Sequence, residues 1–231
     1  ARPSSHVKKL KTEFPDAKPG LGYGLTETNA AGAVISGDEY TERPGSTGKP
    51  SKPLTEIIIC DENNKKLANC ETGEIYIKTP SNFRCYWNDK KATEEAFFNG
   101  WFKTGDIGFL DKDNYLFIVD RAKDIIIRGG ENISSLEVED AINEYPDIIE
   151  ASVYGIPDER LGEILCCSAT IRNSEKINEE DIKEFLKNNL APFKIPAFFD
   201  FHKNQLPRTA SGKIYKLELR KKMEKKILSL T

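Results

Sequence analysis

Hydrophobic positions in the first half of the chain fall into short runs, at 54–60 (LTEIIIC), 74–78 (EIYIK), 107–110 (IGFL) and 115–119 (YLFIV). Between them lie joints rich in Gly, Pro, Asp and Asn, such as ERPGSTGKPSKP, DENNKK, ETGE and DKDN. Runs of this length with turn residues at both ends predict strands, so the chain up to about residue 120 reads as a mostly β unit. One helix is expected there, over 89–97 (DKKATEEAF), opened by Asp89 as its cap.

Past Asp120 the rhythm changes to alternating strand and helix. Residues 122–127 are expected to be extended, and SSLEVEDAINEY (134–145) follows with Ser134 and Glu137 spaced as a capping box. Strand-like IIEASVYGI and EILCCSATI come next, and then NEEDIKEFLKNNL, which sets Ile182, Phe185, Leu186 and Leu190 on one helical face. A strand, AFFDFH, and a Lys/Arg-rich helix, LELRKKMEKKIL, close the chain, and the basic residues of that helix read as a solvated face. The charged stretch DRAKD (120–124) marks the boundary, giving units 1–121 and 122–231. The fold class is α+β.

Composition narrows the chemistry. The 231 residues carry 34 Lys+Arg and 37 Asp+Glu, a net charge of −3, which argues against a nucleic-acid partner that would need a clustered basic excess. The longest purely apolar stretches, 57–60 and 125–127, fall far short of the roughly 20 residues of a membrane span, so the chain is not expected to be membrane-embedded. Five cysteines (Cys60, Cys70, Cys85, Cys166, Cys167) without a CxxC, and two histidines, His6 and His202, fit neither a zinc site nor a disulfide framework; a reducing cytoplasm is expected. The N-terminus shows no apolar signal core.

The phosphate-loop template GxxxxGK[ST] fails at both places where it could apply. In GSTGKPS, Lys49 is followed by Pro50 and Arg43 stands where the leading Gly belongs; around Lys213 the corresponding positions are Ile214 and Pro207. GLGYG is too short for a dinucleotide fingerprint, and by itself it reads as turn punctuation.

Four other segments are more specific: GYGLTE (22–27), WFKTGDIG (101–108), RAKDIIIRGGENI (121–133) and PRTASGK (207–213). In this order and at these separations they resemble four core motifs of the adenylate-forming superfamily, which includes acyl-CoA synthetases, peptide-synthetase adenylation domains and beetle luciferases. RGGENI is most similar to the acyl-CoA synthetases. The resemblance implies the closing part of a large AMP-binding domain over 1–121, truncated at its start, and a mobile lid over 122–231. A phosphate loop and an acyl pocket would belong to a missing N-terminal part of the same enzyme, and residues 1–5 (ARPSS) would begin the adenine-contacting turn.

The implied cosubstrates are ATP with Mg2+, coenzyme A and a small-molecule carboxylate, a fatty acid above all. Tyr23 would offer a ring face to the purine, with Gly24 permitting a tight backbone path; Thr26 would offer a hydroxyl to phosphate, and Glu27 an oxygen to magnesium. Asp106, an acceptor-only carboxylate, and Arg121 are implied at the ribose, with Ile118 near the adenosine. Lys123 matches the hinge, and Arg128, Gly129 and Gly130 the pantetheine tunnel. Lys213 would reach the α-phosphate and the substrate carboxylate, where a mobile ammonium neutralises developing charge. Two alternatives stay open: an adenylating domain with another acyl acceptor, and a non-catalytic nucleotide-binding or interaction module built on the half-site Tyr23, Thr26, Asp106 and Arg121.

Overall fold

The computed structural model of the chain describes Val7, Leu10 and residues 12–172, 177–210 and 212–228. The chain divides into two compact units, Ala1–Lys123 and Asp124–Thr231. The division falls inside the 3-10 turn Ala122–Asp124. Residues 122–124 are therefore not extended as expected; the extended run begins at Ile126, in β9 (Ile126–Arg128).

The first unit is built on one antiparallel sheet, with strands in the order β1 (Gly20–Tyr23), β2 (Ala33–Ser36), β3 (Ser46–Pro50), β8 (Leu116–Arg121), β7 (Trp101–Leu110), β5 (Gly73–Lys78) and β4 (Glu56–Cys60). A two-residue strand, β6 (Phe97–Phe98), hangs on β7. Alternation along β4 and β5 sends Ile57, Ile59, Ile75 and Ile77 into a core with Tyr23, Leu110 and Leu116. Each such side chain contributes roughly 1.5–3 kcal/mol by leaving water.

Two sequence expectations fail in this unit. GSTGKP is not a loop but β3, because the Ser46 and Thr47 hydroxyls donate to the Leu116 carbonyl (3.0 and 3.2 Å) and draw a Gly/Pro-rich segment onto the sheet. GLGY, which reads as punctuation only when taken by itself, is a strand held by four register pairs to β2, in keeping with the resemblance of residues 6–24 to the helix and strand leading into the GYGLTE motif. The helix at 89–97 is shorter, α2 (Lys90–Glu95), since Phe97 and Phe98 pair with β7 instead; its cap is as expected, Asp89 accepting from the Ala92 N–H at 2.9 Å. A short helix, α1 (Asp38–Glu42), had no sequence signal.

The second unit is a five-stranded sheet with helices on both faces. β12 (Gly162–Ile171) lies at its centre, antiparallel to β11 (Ile148–Asp158) and parallel to β13 (Phe198–His202), and it touches β9, which forms a hairpin with β10 (Glu131–Ile133). Helices α3 (Ser135–Asn143) and α4 (Glu179–Lys187) bury Val138, Ile142, Ile182 and Leu186 with Val153, Leu165 and Cys167. On the other side α5 (Lys216–Leu228) buries Leu219 and Met223 with Tyr154, Ile156, Cys166 and Leu206. Ser134 caps α3 by accepting from the Glu137 N–H (3.1 Å), while the Glu137 carboxylate takes the Lys194 ammonium.

Candidate functional site

The site in the first unit is organised by distortions of β7. Opposite Glu74 and Tyr76 of β5, β7 advances from Ile107 to Lys103, two residues more than a regular ladder allows. The three residues Thr-Gly-Asp of the motif thus stand opposite the single Ile75, and each has a task. Thr104 Oγ1 donates to the Ile75 carbonyl (2.7 Å) and accepts from the Asp106 N–H (3.0 Å). Gly105 supplies φ +69, which a side chain disfavours, and its N–H donates to a Glu74 carboxylate oxygen at 3.0 Å. The Ile75 carbonyl and the Gly105 and Asp106 N–H groups thereby find side-chain partners, and Asp106 is carried to a buried position.

Both carboxylate oxygens of Asp106 are engaged. Oδ2 accepts from the Tyr23 hydroxyl at 2.7 Å, and Oδ1 lies 3.0 Å from Arg121 Nε, its direct cross-strand partner on β8. A carboxylate offers about four lone-pair sites, so each oxygen keeps one for a further donor. Asp106 is thus oriented by two partners and keeps acceptor capacity for two further donors. Burial and the Asp106 charge both push the Tyr23 phenol well above its ordinary pKa, so it stays a proton donor. The Asp120 carboxylate accepts from the Arg121 N–H at 2.7 Å and fixes the guanidinium's backbone.

Between Ile118 and Asp120, β8 carries one residue more than β7. That breaks strict alternation, so Ile118, three positions from Arg121, still packs on the core that contains Tyr23.

GYGLTE leaves β1 and winds into the 3-10 turn Thr26–Thr28. A Cβ on Gly24 would stand 2.3 Å from the Ala30 carbonyl oxygen, and one on Gly32 2.1 Å from that of Tyr23, so both glycines are dictated by close backbone approach. Thr26 is exposed and Glu27 half-buried. The segment after β5 closes over this turn: the Phe83 N–H donates to the Glu27 carbonyl (2.7 Å), Asn29 Nδ2 to the Ser81 carbonyl (2.8 Å), and the Tyr86 hydroxyl to Glu27 Oε1 (3.0 Å). Sequence reasoning missed Tyr86 and Glu74, which lie 59 and 31 residues from the groups they hold. Among the described residues no three His, Cys, Asp or Glu side chains gather as a metal cage. A single carboxylate is what Mg2+ needs from protein when phosphates and water supply its other ligands, so Glu27 fits such an ion.

The remaining expected residues belong to the boundary and to the second unit. Lys123 is exposed in the boundary turn. Gly129 and Gly130, at φ +61 and +87, form the two-residue turn between β9 and β10, a turn that requires left-handed backbone at both positions. The turn accounts for these glycines by itself, without a passing ligand. Arg128 Nη1 donates to the Phe193 carbonyl (3.0 Å), and the Gly129 N–H to the Leu161 carbonyl (2.7 Å). Lys213 is exposed on a hairpin whose strands meet at Arg208 and Ile214. Residues 1–5, expected at the adenine, lie outside the described residues.

Residues 1–87 match the AMP-binding enzyme family and residues 137–213 the AMP-binding enzyme C-terminal domain. Curated CoA ligases align with the chain over 193 to 215 residues, more than either match alone. The chain belongs to the adenylate-forming AMP-binding enzymes.

Among this family's members, it is 40% identical over 193 residues to the oxalate–CoA ligase of Arabidopsis thaliana, covering 83% of this chain and 37% of that protein. It is 37% identical over 203 residues to the 2-succinylbenzoate–CoA ligase of Geobacillus kaustophilus, covering 88% and 41%. The solved o-succinylbenzoate CoA synthetase of Bacillus subtilis, in complex with its acyl-adenylate intermediate, superposes with a TM-score of 0.85 at 34% identity, covering 94% of this chain and 44% of that one. The chain therefore spans about two fifths of the length of the AMP-binding relatives it matches.

Proposed function

We propose that this chain is the C-terminal portion of an AMP-forming acyl-CoA synthetase, which activates a carboxylic acid as its acyl-AMP and passes the acyl group to coenzyme A. The observation that carries the reading is Asp106, buried and oriented by Tyr23 and Arg121 with one lone pair free on each oxygen. That arrangement suits the two hydroxyls of a ribose. Names of relatives support the class, since oxalate, succinylbenzoate and long-chain fatty acids are all substrates of CoA ligases similar to this chain. A fatty acid is the proposed substrate.

In this reading Tyr23 serves the nucleotide chiefly by holding Asp106, a role different from the ring stacking its motif suggested. Ile118 forms apolar wall beside it. Thr26 offers its hydroxyl to phosphate, and Glu27, steadied by Tyr86, would hold Mg2+. The ion would supply charge neutralisation at the phosphates. Lys213 brings an ammonium to the point where a carboxylate oxygen attacks the α-phosphorus and pyrophosphate leaves; two anions must meet there, and a mobile cation lowers the cost. Gly129, Gly130 and Arg128 line the path of the thiol that then displaces AMP. Residues 1–121 close the nucleotide-binding domain, 122–231 form the lid, and the 231-residue polypeptide is expected to be inactive by itself.

The test is ATP–pyrophosphate exchange by the full-length enzyme against oxalate, succinylbenzoate and fatty acids of graded length, followed by thioester formation with coenzyme A. Exchange with a fatty acid and capture by coenzyme A are expected; exchange without thioester formation would favour another acyl acceptor, and adenosine-nucleotide binding without exchange the non-catalytic module.

A further inference from the structure

We infer that Glu150 is a positioning residue for Lys213, acting through Arg208 on the backbone that carries the lysine. The inference rests on the role proposed for Lys213 and adds the group that aims it. Glu150 lies in β11 just past a bulge: Ile148 pairs with Ile171 and Glu150 with Thr170, leaving Ile149 as the extra residue. In a regular strand Ile148 and Glu150 would share a face. The bulge lets Ile148 enter the α3/α4 core while Glu150 turns to the opposite face, the one that holds Tyr154 and Leu206.

An acid at the rim of an apolar cluster must be matched by donors, and Glu150 gathers several. Oε1 accepts from the Leu206 N–H at 3.1 Å and lies 3.3 Å from the Thr170 hydroxyl; Oε2 forms a tight ion pair with Arg208 Nη2. The second arm of the same guanidinium, Nη1, donates to the Gly212 carbonyl at 2.9 Å. That carbonyl belongs to the peptide bond joining Gly212 to Lys213.

On the far side of the lysine, the Thr209 N–H donates to the Lys213 carbonyl at 2.8 Å, and the Tyr215 N–H donates to the Pro207 carbonyl at 2.7 Å. The backbone of Lys213 is thus gripped on both flanks while its side chain projects into solvent. The planar, two-armed guanidinium is what allows one residue to reach Glu150 and the Gly212 carbonyl together, so lysine cannot replace it. Gly212, at φ +83, gives the loop the turn that brings its carbonyl to Arg208.

The experiment measures the two half-reactions separately in the full-length enzyme. Glu150→Gln and, independently, Arg208→Lys are each expected to slow acyl-AMP formation about ten- to a hundredfold, the scale of a misplaced catalytic group, while thiolysis of supplied acyl-AMP stays within about twofold of wild type. In a Lys213→Ala background neither substitution is expected to slow acyl-AMP formation further, because each acts through a group already removed. Equal loss in both half-reactions, or an undiminished additional loss on top of Lys213→Ala, would overturn the inference and reduce Glu150 to a structural ion-pair partner. If Lys213→Ala by itself leaves acyl-AMP formation intact, the assignment of Lys213 fails first, which is a separate result from a loss of coupling.

Discussion

At the scale of single residues, the structure redistributes work among side chains that the motifs had assigned separately. Tyr23 and Arg121 converge on Asp106, so removing one phenol oxygen tests whether Tyr23 matters for its ring or for its hydroxyl. Tyr23→Phe keeps the ring and leaves Oδ2 of a buried carboxylate without its donor, a change worth about 1.5–3 kcal/mol for hydrogen bonds to charged groups. The KM for ATP is expected to rise roughly ten- to a hundredfold, with Asp106→Asn losing at least as much; an unchanged KM in Tyr23→Phe would return the tyrosine to stacking alone. Burial of thiols has a consequence in pH. Cys166 is pushed up to about 12 by burial, and Cys167 is raised well above its ordinary value by burial and then by Glu139. The folded pKa exceeds the unfolded value of about 8.5, so the stabilisation is complete below that pH and is lost as pH rises above it, the unfolded state releasing protons that the folded state retains. Urea midpoints of the second unit are expected to fall between pH 8 and 9.5. The paired variant Cys166→Ala, Cys167→Ala should start lower, because of the cavities, yet show a flatter slope.

At the scale of elements, the β9–β10 hairpin separates two readings of one Gly-Gly pair. Its turn wants left-handed backbone at both positions, and Asn is well tolerated at the first, so Gly129→Asn is expected to leave the melting temperature within about 2 °C while adding a side chain at the turn. Should thioester formation fall severalfold with adenylation intact, the position faces the thiol; no change in either half-reaction would leave the glycines as turn residues only. A bulky Trp could not make that distinction, because it would break the turn as well. The contrast also shows what a sequence can carry. Strands β4, β5 and β8, the caps Asp89 and Ser134, and the apolar face of α4 were legible because each is written in a few neighbouring residues. β3 was not, and β1 only through its resemblance, since Gly and Pro there signal turns locally while pairing with other strands decides the outcome. The motif residues Tyr23, Asp106 and Arg121 could be picked out by type and order. Their hydrogen bonds could not, because Tyr23 and Asp106 are 83 positions apart and meet through a bulge that no local pattern announces. Tyr86 and Glu74 were invisible for the same reason.

At the scale of the whole molecule, the chain puts Lys213 and the Gly129-Gly130 turn in one compact unit and Asp106 in another, with Lys123 in the short turn between. Under the proposed function, that one compact unit serves adenylation through Lys213 and thiolation through the Gly129-Gly130 turn. A change at the linking turn should then act on the passage between the two half-reactions and spare each group's own chemistry. Lys123→Pro is suited to this: it fixes φ near −65° at position 123 and restricts Ala122 as well, removing the torsional freedom a hinge would use. The expected result is acyl-AMP formation within about threefold of wild type, accumulation of enzyme-bound acyl-AMP, and at least about tenfold slower thioester release. Lys213→Ala, by contrast, should slow acyl-AMP formation by up to roughly a thousandfold, since an ammonium at about 4 Å from a developing charge is worth about 4 kcal/mol at an effective dielectric of 20. It should leave thiolysis of supplied acyl-AMP intact. Rapid-quench measurement of bound acyl-AMP against thioester in the full-length variants decides the matter: proportional loss of both products in Lys123→Pro would show that the turn does not gate the passage between the two half-reactions.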